Sequence, residues 1–218
     1  VWTALAASVG FGLLATLAAR RGRWQDARAW FAFAAGGVVF YGTQGVARPV
    51  GALLGTVVAG TSDVPAWPVV AVLGVLTEVF KLAAALVVHH LYRMEAREGG
   101  WVGAAVGAGF GAWSEAVILR SVFQVVQLGL PGGVSLAFAL TASAARLLAG
   151  AGSTGLAARL ATSGRTGVGL AVACAVQLSL DPVLRVVAPS PGWTVVATVA
   201  IGTAAFAALW LPGERGEG

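Results

Sequence analysis

Charge is what this sequence has least of. Its 218 residues include 14 Lys plus Arg and 9 Asp plus Glu, 11% of the chain, against 58% hydrophobic residues and a mean hydropathy of +0.84. A soluble domain carries about 25% charged and roughly 45–50% apolar residues, so this chain lacks the polar surface to dissolve as one globule. The same figures exclude a disordered chain. One cysteine, Cys174, excludes a disulfide scaffold, and no redox motif is present. The two histidines, His89 and His90, are adjacent. Adjacent residues on a helix point about 100° apart rather than sharing the i, i+4 face of a metal site, and they fit a helix end beside Tyr92 and Arg93. Zinc prefers His and Cys ligands, so neither zinc nor any other cofactor is expected. Glycine, by contrast, is plentiful at 31 residues, as suits helices packed closely in lipid.

These features predict an all-α, polytopic membrane bundle. A spanning helix needs about 20 mostly apolar residues, and polar or Pro/Gly breaks divide the chain into seven such runs. They cover 1–19, 29–60 (tilted or bent near Arg48-Pro49), 68–92, 101–126, 135–160, 168–188 and 193–211. The expected organisation is a single transmembrane domain, 1–212, followed by a polar tail, 213–218. No 20- to 50-residue repeat or inverted symmetry is evident, which weakens a secondary-transporter architecture.

Arg20, Arg21, Arg23, Arg28, Arg93, Arg97, Arg159, Arg165 and Arg215 all fall on one side of this arrangement, whereas Arg48, Arg120 and Arg185 lie nearer the other. The positive-inside rule then predicts an outside N-terminus and a cytoplasmic C-terminus, with the chain multi-pass in the plasma (inner) membrane. The first run has its positive charges after the apolar stretch, the polarity of an anchor rather than a cleaved signal peptide. The tight cluster from Arg20 to Arg28 reads as a topology signal and an anionic-lipid contact, not as a nucleic-acid site. Most tryptophans lie near run ends as interface anchors. Trp113, two residues from Glu115, is placed to shield that carboxylate.

A charge at a helix centre costs about 2.5–3.5 kcal/mol on insertion scales, so each buried one needs a reason. The candidates are Glu78, Lys81 (the only lysine), Glu115, Arg146, Gln177 and Asp181. Glu78 and Lys81 share a helical face and can neutralise each other. Glu78, Glu115, Arg146 and Gln177 each lie about ten or eleven residues in from the outer end of their runs, roughly 15 Å deep at 1.5 Å per residue. Equal depth predicts one shared polar layer, in which Lys81 and Arg146 balance Glu78 and Glu115. The oxygen donors of such a layer suit water or a hard cation better than zinc. Buried ionic clusters also occur simply to fix helix order. Gly103, Gly107 and Gly111 form a GxxxGxxxG stripe that permits near backbone contact, and Glu115 continues the same four-residue step.

Taken in order, these residues resemble the intramembrane protease superfamily that contains the type II CAAX prenyl proteases and the PrsW and YhfC families, together with the anterior-pharynx-defective scaffold subunit of γ-secretase. The family's Glu-Glu-x-x-Lys/Arg motif is similar to Thr77-Glu78-Val79-Phe80-Lys81, with Thr for the first Glu. Its Gly-rich helix ending in Glu is similar to the stretch from Gly107 to Glu115, with one extra residue between Phe110 and Glu115. Arg146 fits the family's Arg, but Ser153 and Gln177 stand where histidines are expected; Asp181 is kept. The resemblance implies Glu78 and Glu115 as catalytic carboxylates in an active member, and it implies that without both histidines the fold serves as a non-catalytic scaffold or binding protein. Its partner would be another membrane protein, a lipid or a prenylated peptide. The alternatives are an active peptidase in which Glu78 and Glu115 activate water, and a small transporter or channel using the polar layer.

Overall fold

The computed structural model describes residues 2–21, 23–58, 67–127, 135–186 and 191–210, and the side chains within them except those of 48, 51, 53–58, 67–70, 180–186, 191–195 and 210. The tail 213–218 and the side chains of Arg48, Trp67, Asp181, Arg185, Trp193 and Trp210 lie outside the described residues. Among the described residues the chain is all-helical: α1 (Trp2–Ala19), α2 (Ala27–Val58), α3 (Trp67–Leu91), α4 (Gly99–Gln127), α5 (Leu136–Thr162), α6 (Thr166–Val186) and α7 (Pro191–Ala207), with 3-10 turns at Ala96–Glu98 and Ala208–Trp210. Four stretches are long and apolar enough to cross a membrane: Trp2–Ala19, Ala71–Leu91, Ala96–Gln127 and Leu136–Thr162. The stretches Thr166–Ser179 and Val196–Ala207 are apolar but shorter. α2 stays helical through Pro49.

Helix ends follow local chemistry. Ser135 caps α5, its Oγ accepting from the Phe138 N–H at 3.2 Å, which satisfies one of the donors a helix start leaves unpaired. At the other end Gly164 takes φ +84° and Arg165 N–H returns to the Leu160 carbonyl at 2.8 Å, a left-handed cap that glycine adopts without strain. α3 ends in the same way, with Met94 N–H on the His89 carbonyl at 3.1 Å, but here the left-handed residue is Arg93, φ +48°.

The interior is built from small residues. α4 and α5 run antiparallel as a central pair. An added Cβ at Gly103 would lie 2.5 Å from the Thr154 carbonyl oxygen, one at Gly107 2.5 Å from that of Gly150, and one at Gly111 3.2 Å from Leu147. The backbones therefore touch where side chains would normally stand between them. α1 meets α4 where a Cβ at Gly12 would stand 2.9 Å from that of Ala112. α2 meets it where Gly36 faces the Val106 carbonyl and Gly109 the Phe33 carbonyl. α7 lies on α5 through Gly152 against Ala205 and Gly202 against Ala145, and α6 through Gly169 against Ala157. Large apolar side chains point outward: Val38, Leu14 and Val117 are 73%, 63% and 57% exposed while Ala104, Ala105, Ala108 and Ala151 are fully covered. Hydroxyls inside the helices bond back to their own turn, as Ser8 does to Ala4, Thr16 to Gly12 and Thr77 to Leu73.

Successive helices alternate in direction, so the end of α1, the start of α4, the end of α5 and the turn after α7 share one end of the bundle. Arg20 stacks on Trp101 there, Thr162 Oγ1 donates to the Ala96 carbonyl at 2.9 Å, and Arg159 donates to the Leu209 carbonyl at 3.5 Å.

Candidate functional site

Glu115 occupies the next step of the glycine stripe, so its carboxylate is delivered directly against α5. Arg146 Nε donates to Oε1 at 2.8 Å and Nη2 to Oε2 at 2.7 Å, while Ser143 Oγ donates to Oε2 at 2.6 Å. Glu115 and Ser143 are buried at 4% and 1% exposure, and the Arg146 side chain is a quarter exposed. A two-point guanidinium–carboxylate pair is among the stronger polar contacts because both hydrogen bonds are charge-assisted and the planes match. Both Glu115 oxygens are occupied.

Glu78 and Lys81 form the second pair, on α3, with Lys81 Nζ 2.5 Å from Glu78 Oε1. Their exposures are 1% and 2%. The two are close as an ion pair, yet neither Glu78 oxygen accepts a hydrogen bond of good geometry among the described residues. The ammonium also sits 5.3 Å from the centre of the Phe110 ring on α4, an arrangement a desolvated cation favours. On the α6 side, an added Cβ at Gly74, one turn before Glu78, would be 3.5 Å from Leu178 and 3.9 Å from Gln177. Gln177 is thus on the α3–α6 seam. The Asp181 side chain, the remaining member of the expected layer, lies outside the described residues.

The four residues expected at one depth, with Lys81 beside them, therefore divide between interfaces. Glu115 and Arg146 close the α4–α5 seam, Glu78 and Lys81 lie on α3 facing Phe110, and Gln177 faces α3 from α6. Depth along a helix is only one coordinate; which way each residue points around the axis decides whom it meets. The Trp113 ring packs on α2, tilted against Tyr41 at 5.5 Å and filling the space where Gly37 has no side chain.

Ser153 stands in the position of an expected histidine; its hydroxyl donates to the Gly150 carbonyl at 3.2 Å. His89 Nε2 donates to the Glu95 carbonyl at 3.0 Å at the end of α3, and His90 is exposed. Among the described residues no three His, Cys, Asp or Glu side chains converge to hold a metal ion.

Two contributors were missed by sequence reasoning. Ser143 has a readable signal, lying three residues before Arg146 and so one turn along the same face of α5. The Gly36 and Gly109 contact of α2 with α4 has a weaker one, because Gly109 falls off the four-residue stripe. No protein-family model, curated protein or solved structure matches the chain.

Proposed function

We propose that this chain is a multi-pass protein of the plasma (inner) membrane, seven spans with the N-terminus outside, that works as a non-catalytic scaffold or binding protein on an intramembrane-protease-like fold. One observation carries the reading: the carboxylates that would activate water are already engaged. Glu115 has Arg146 and Ser143 on its two oxygens, and Glu78 and Lys81 are sealed from solvent as a pair. A general base must reach a water or a substrate proton within hydrogen-bond distance, and here Glu115 instead ties α4 to α5 while Glu78 is paired within α3. The partner is another membrane protein, a lipid or a prenylated peptide held on the outer faces of the bundle. The test is incubation of the purified protein in lipid nanodiscs with hydrophobic membrane peptides and prenylated peptides. The expectation is association without cleavage; cleavage that disappears in Glu115→Gln while the bundle stays folded would install the peptidase reading in its place.

A second reading has one observation of its own. Neither buried Glu78 oxygen accepts a hydrogen bond of good geometry among the described residues, although Lys81 Nζ lies beside one of them, and a buried carboxylate of this kind can hold a small cation, as in a transporter or channel. Proteoliposome flux of protons, Na⁺ or K⁺ that Glu78→Gln abolishes supports it, and flux no greater than in protein-free liposomes sinks it.

A further inference from the structure

At the arginine-rich end of the bundle an open cavity of about 1400 Å³ lies between the ends of α1 and α5, the start of α4 and the turns at Ala96–Glu98 and Ala208–Trp210. Seven arginines and two glutamates line it, along with Trp101 and the apolar side chains of Leu156, Leu160 and Leu209. A positive-inside signal requires cations on one side of a membrane; it does not require seven of them to converge on one hollow. Convergence costs repulsion that a bound anion relieves.

Part of the ring is fixed in place. Asp26 accepts from Arg20 Nε and Nη2 at 2.9 and 2.7 Å and from Arg28 Nε and Nη2 at 2.9 and 3.0 Å, and the Arg28 hydrogen bond chiefly, with Arg20 beside it, holds the Asp26 carboxyl down at about 2. Both guanidinium groups lie against Trp101, at 4.5 and 5.9 Å from its ring, and both approach Glu98, at 3.9 and 3.7 Å. The Trp101 indole N–H is buried and has no acceptor among the described residues. With Arg97 also paired to Glu95 at 2.6 Å, the ring is thus ordered by carboxylates that offset part of its charge, and the arginines still outnumber them. Arginine's planar fork binds phosphate oxygens two at a time, which an ammonium does not, and every cation here is an arginine while the lone lysine is elsewhere. The leucines make one wall apolar, and the cavity lies where the apolar helices α1 and α5 end and α4 begins.

We propose that this cavity binds a phosphate-bearing anion of at least two negative charges, presented as the headgroup of an anionic phospholipid. The site is remote from the Glu115 and Glu78 pairs and stands or falls independently of the scaffold reading.

The test uses the purified full-length protein in neutral detergent, with three probes: diphosphatidylglycerol, phosphatidylcholine and inorganic diphosphate. Native mass spectrometry counts retained lipid, and Trp fluorescence titration at low salt follows diphosphate. Retention of diphosphatidylglycerol over phosphatidylcholine is the expected result. The double variant Arg97→Gln/Arg165→Gln, both residues exposed at the rim, should weaken binding by about tenfold or more, as loss of charge-assisted contacts implies. Glu95→Gln should strengthen it. Binding of diphosphate alone, with both lipids retained equally, keeps the phosphate site and assigns its ligand to a soluble source. Absence of binding to either phosphate probe overturns the proposal, as does binding that neither variant changes.

Discussion

Replacing Glu115 by alanine should be among the most damaging single changes in the protein. The substitution removes three charge-assisted hydrogen bonds, two from Arg146 and one from Ser143, at 2.6 to 2.8 Å. Breaking a buried ion pair by deleting one partner costs about 3–5 kcal/mol, because the surviving charge is left without compensation. Arg146 keeps a quarter of its side chain exposed, but in the middle of a spanning helix that surface meets hydrocarbon rather than water, which places the expected cost at the upper end, about 5 kcal/mol. Ser143 adds little, since its hydroxyl can turn to a carbonyl of the preceding turn. Glu115→Gln keeps the shape and one acceptor, and should cost about half as much. The assay is reversible unfolding in mixed micelles, read by far-UV circular dichroism, with Arg146→Ala and the double variant completing a cycle. Strong coupling is the expectation, the double variant losing at least 2 kcal/mol less than the single losses combined, as is usual for about 0.5–3 kcal/mol interactions within a network. If the two losses add to within about 0.5 kcal/mol, the pair does not act as a unit and the α4–α5 seam is held by packing alone.

Gly109→Ala should cost about 1–3 kcal/mol or more, because the new methyl lands on the Phe33 carbonyl and pushes α2 off α4; Gly42→Ala, with open space around it, should gain up to about 1 kcal/mol of helix propensity. The same micelle unfolding measures both, and equal effects would contradict the close backbone contact. Asp26 binds its proton more weakly in the folded protein than in the unfolded chain, so its stabilising contribution is complete above about pH 4 and fades as the pH falls towards 2. An acid titration of stability should lose that slope in Asp26→Asn, and an unchanged slope would remove Asp26 as its source. Arg93→Gly should raise stability by about 1 kcal/mol, by relieving a left-handed backbone that an L side chain disfavours. A lower unfolding midpoint would mean that the arginine side chain matters more than its backbone.

Much of the fold is legible because a membrane forces long apolar runs to be helices. The run expected at 101–126 is the helix Gly99–Gln127, and that at 135–160 is Leu136–Thr162. The pairing of Glu78 with Lys81 follows from spacing on one helix; equal depth groups Glu115 with Arg146 but also with Glu78 and Gln177, and so does not single out the pair. What spacing does not encode is azimuth between helices. Nothing in the local pattern around Trp113 says that it turns to Tyr41 and Gly37 on α2, and nothing around Arg20 and Arg28 says that both will stack on Trp101, more than seventy positions later. Such contacts are set by which helices become neighbours, a property of the whole bundle. The residues at the positions where the resemblance expects histidines are different in kind: they are read directly from the sequence, and one of them, Ser153, bonds its own helix.

The two ion pairs also differ in when they can form. Glu78 and Lys81 belong to one helix, so α3 carries its own counter-ion and can leave the translocon already neutralised. Glu115 has to wait for Arg146, synthesised 31 residues later on α5. Because α4 and α5 are consecutive and their facing surfaces are nearly bare of side chains, the waiting carboxylate and its partner arrive as one hairpin. An isolated α4 segment should then integrate poorly in a translocon insertion assay, the α4–α5 hairpin well, and Arg146→Ala should return the hairpin to the behaviour of α4 alone. Membrane entry, on this view, proceeds in units set by when each buried carboxylate meets its partner: within one helix for Glu78, and only with two for Glu115.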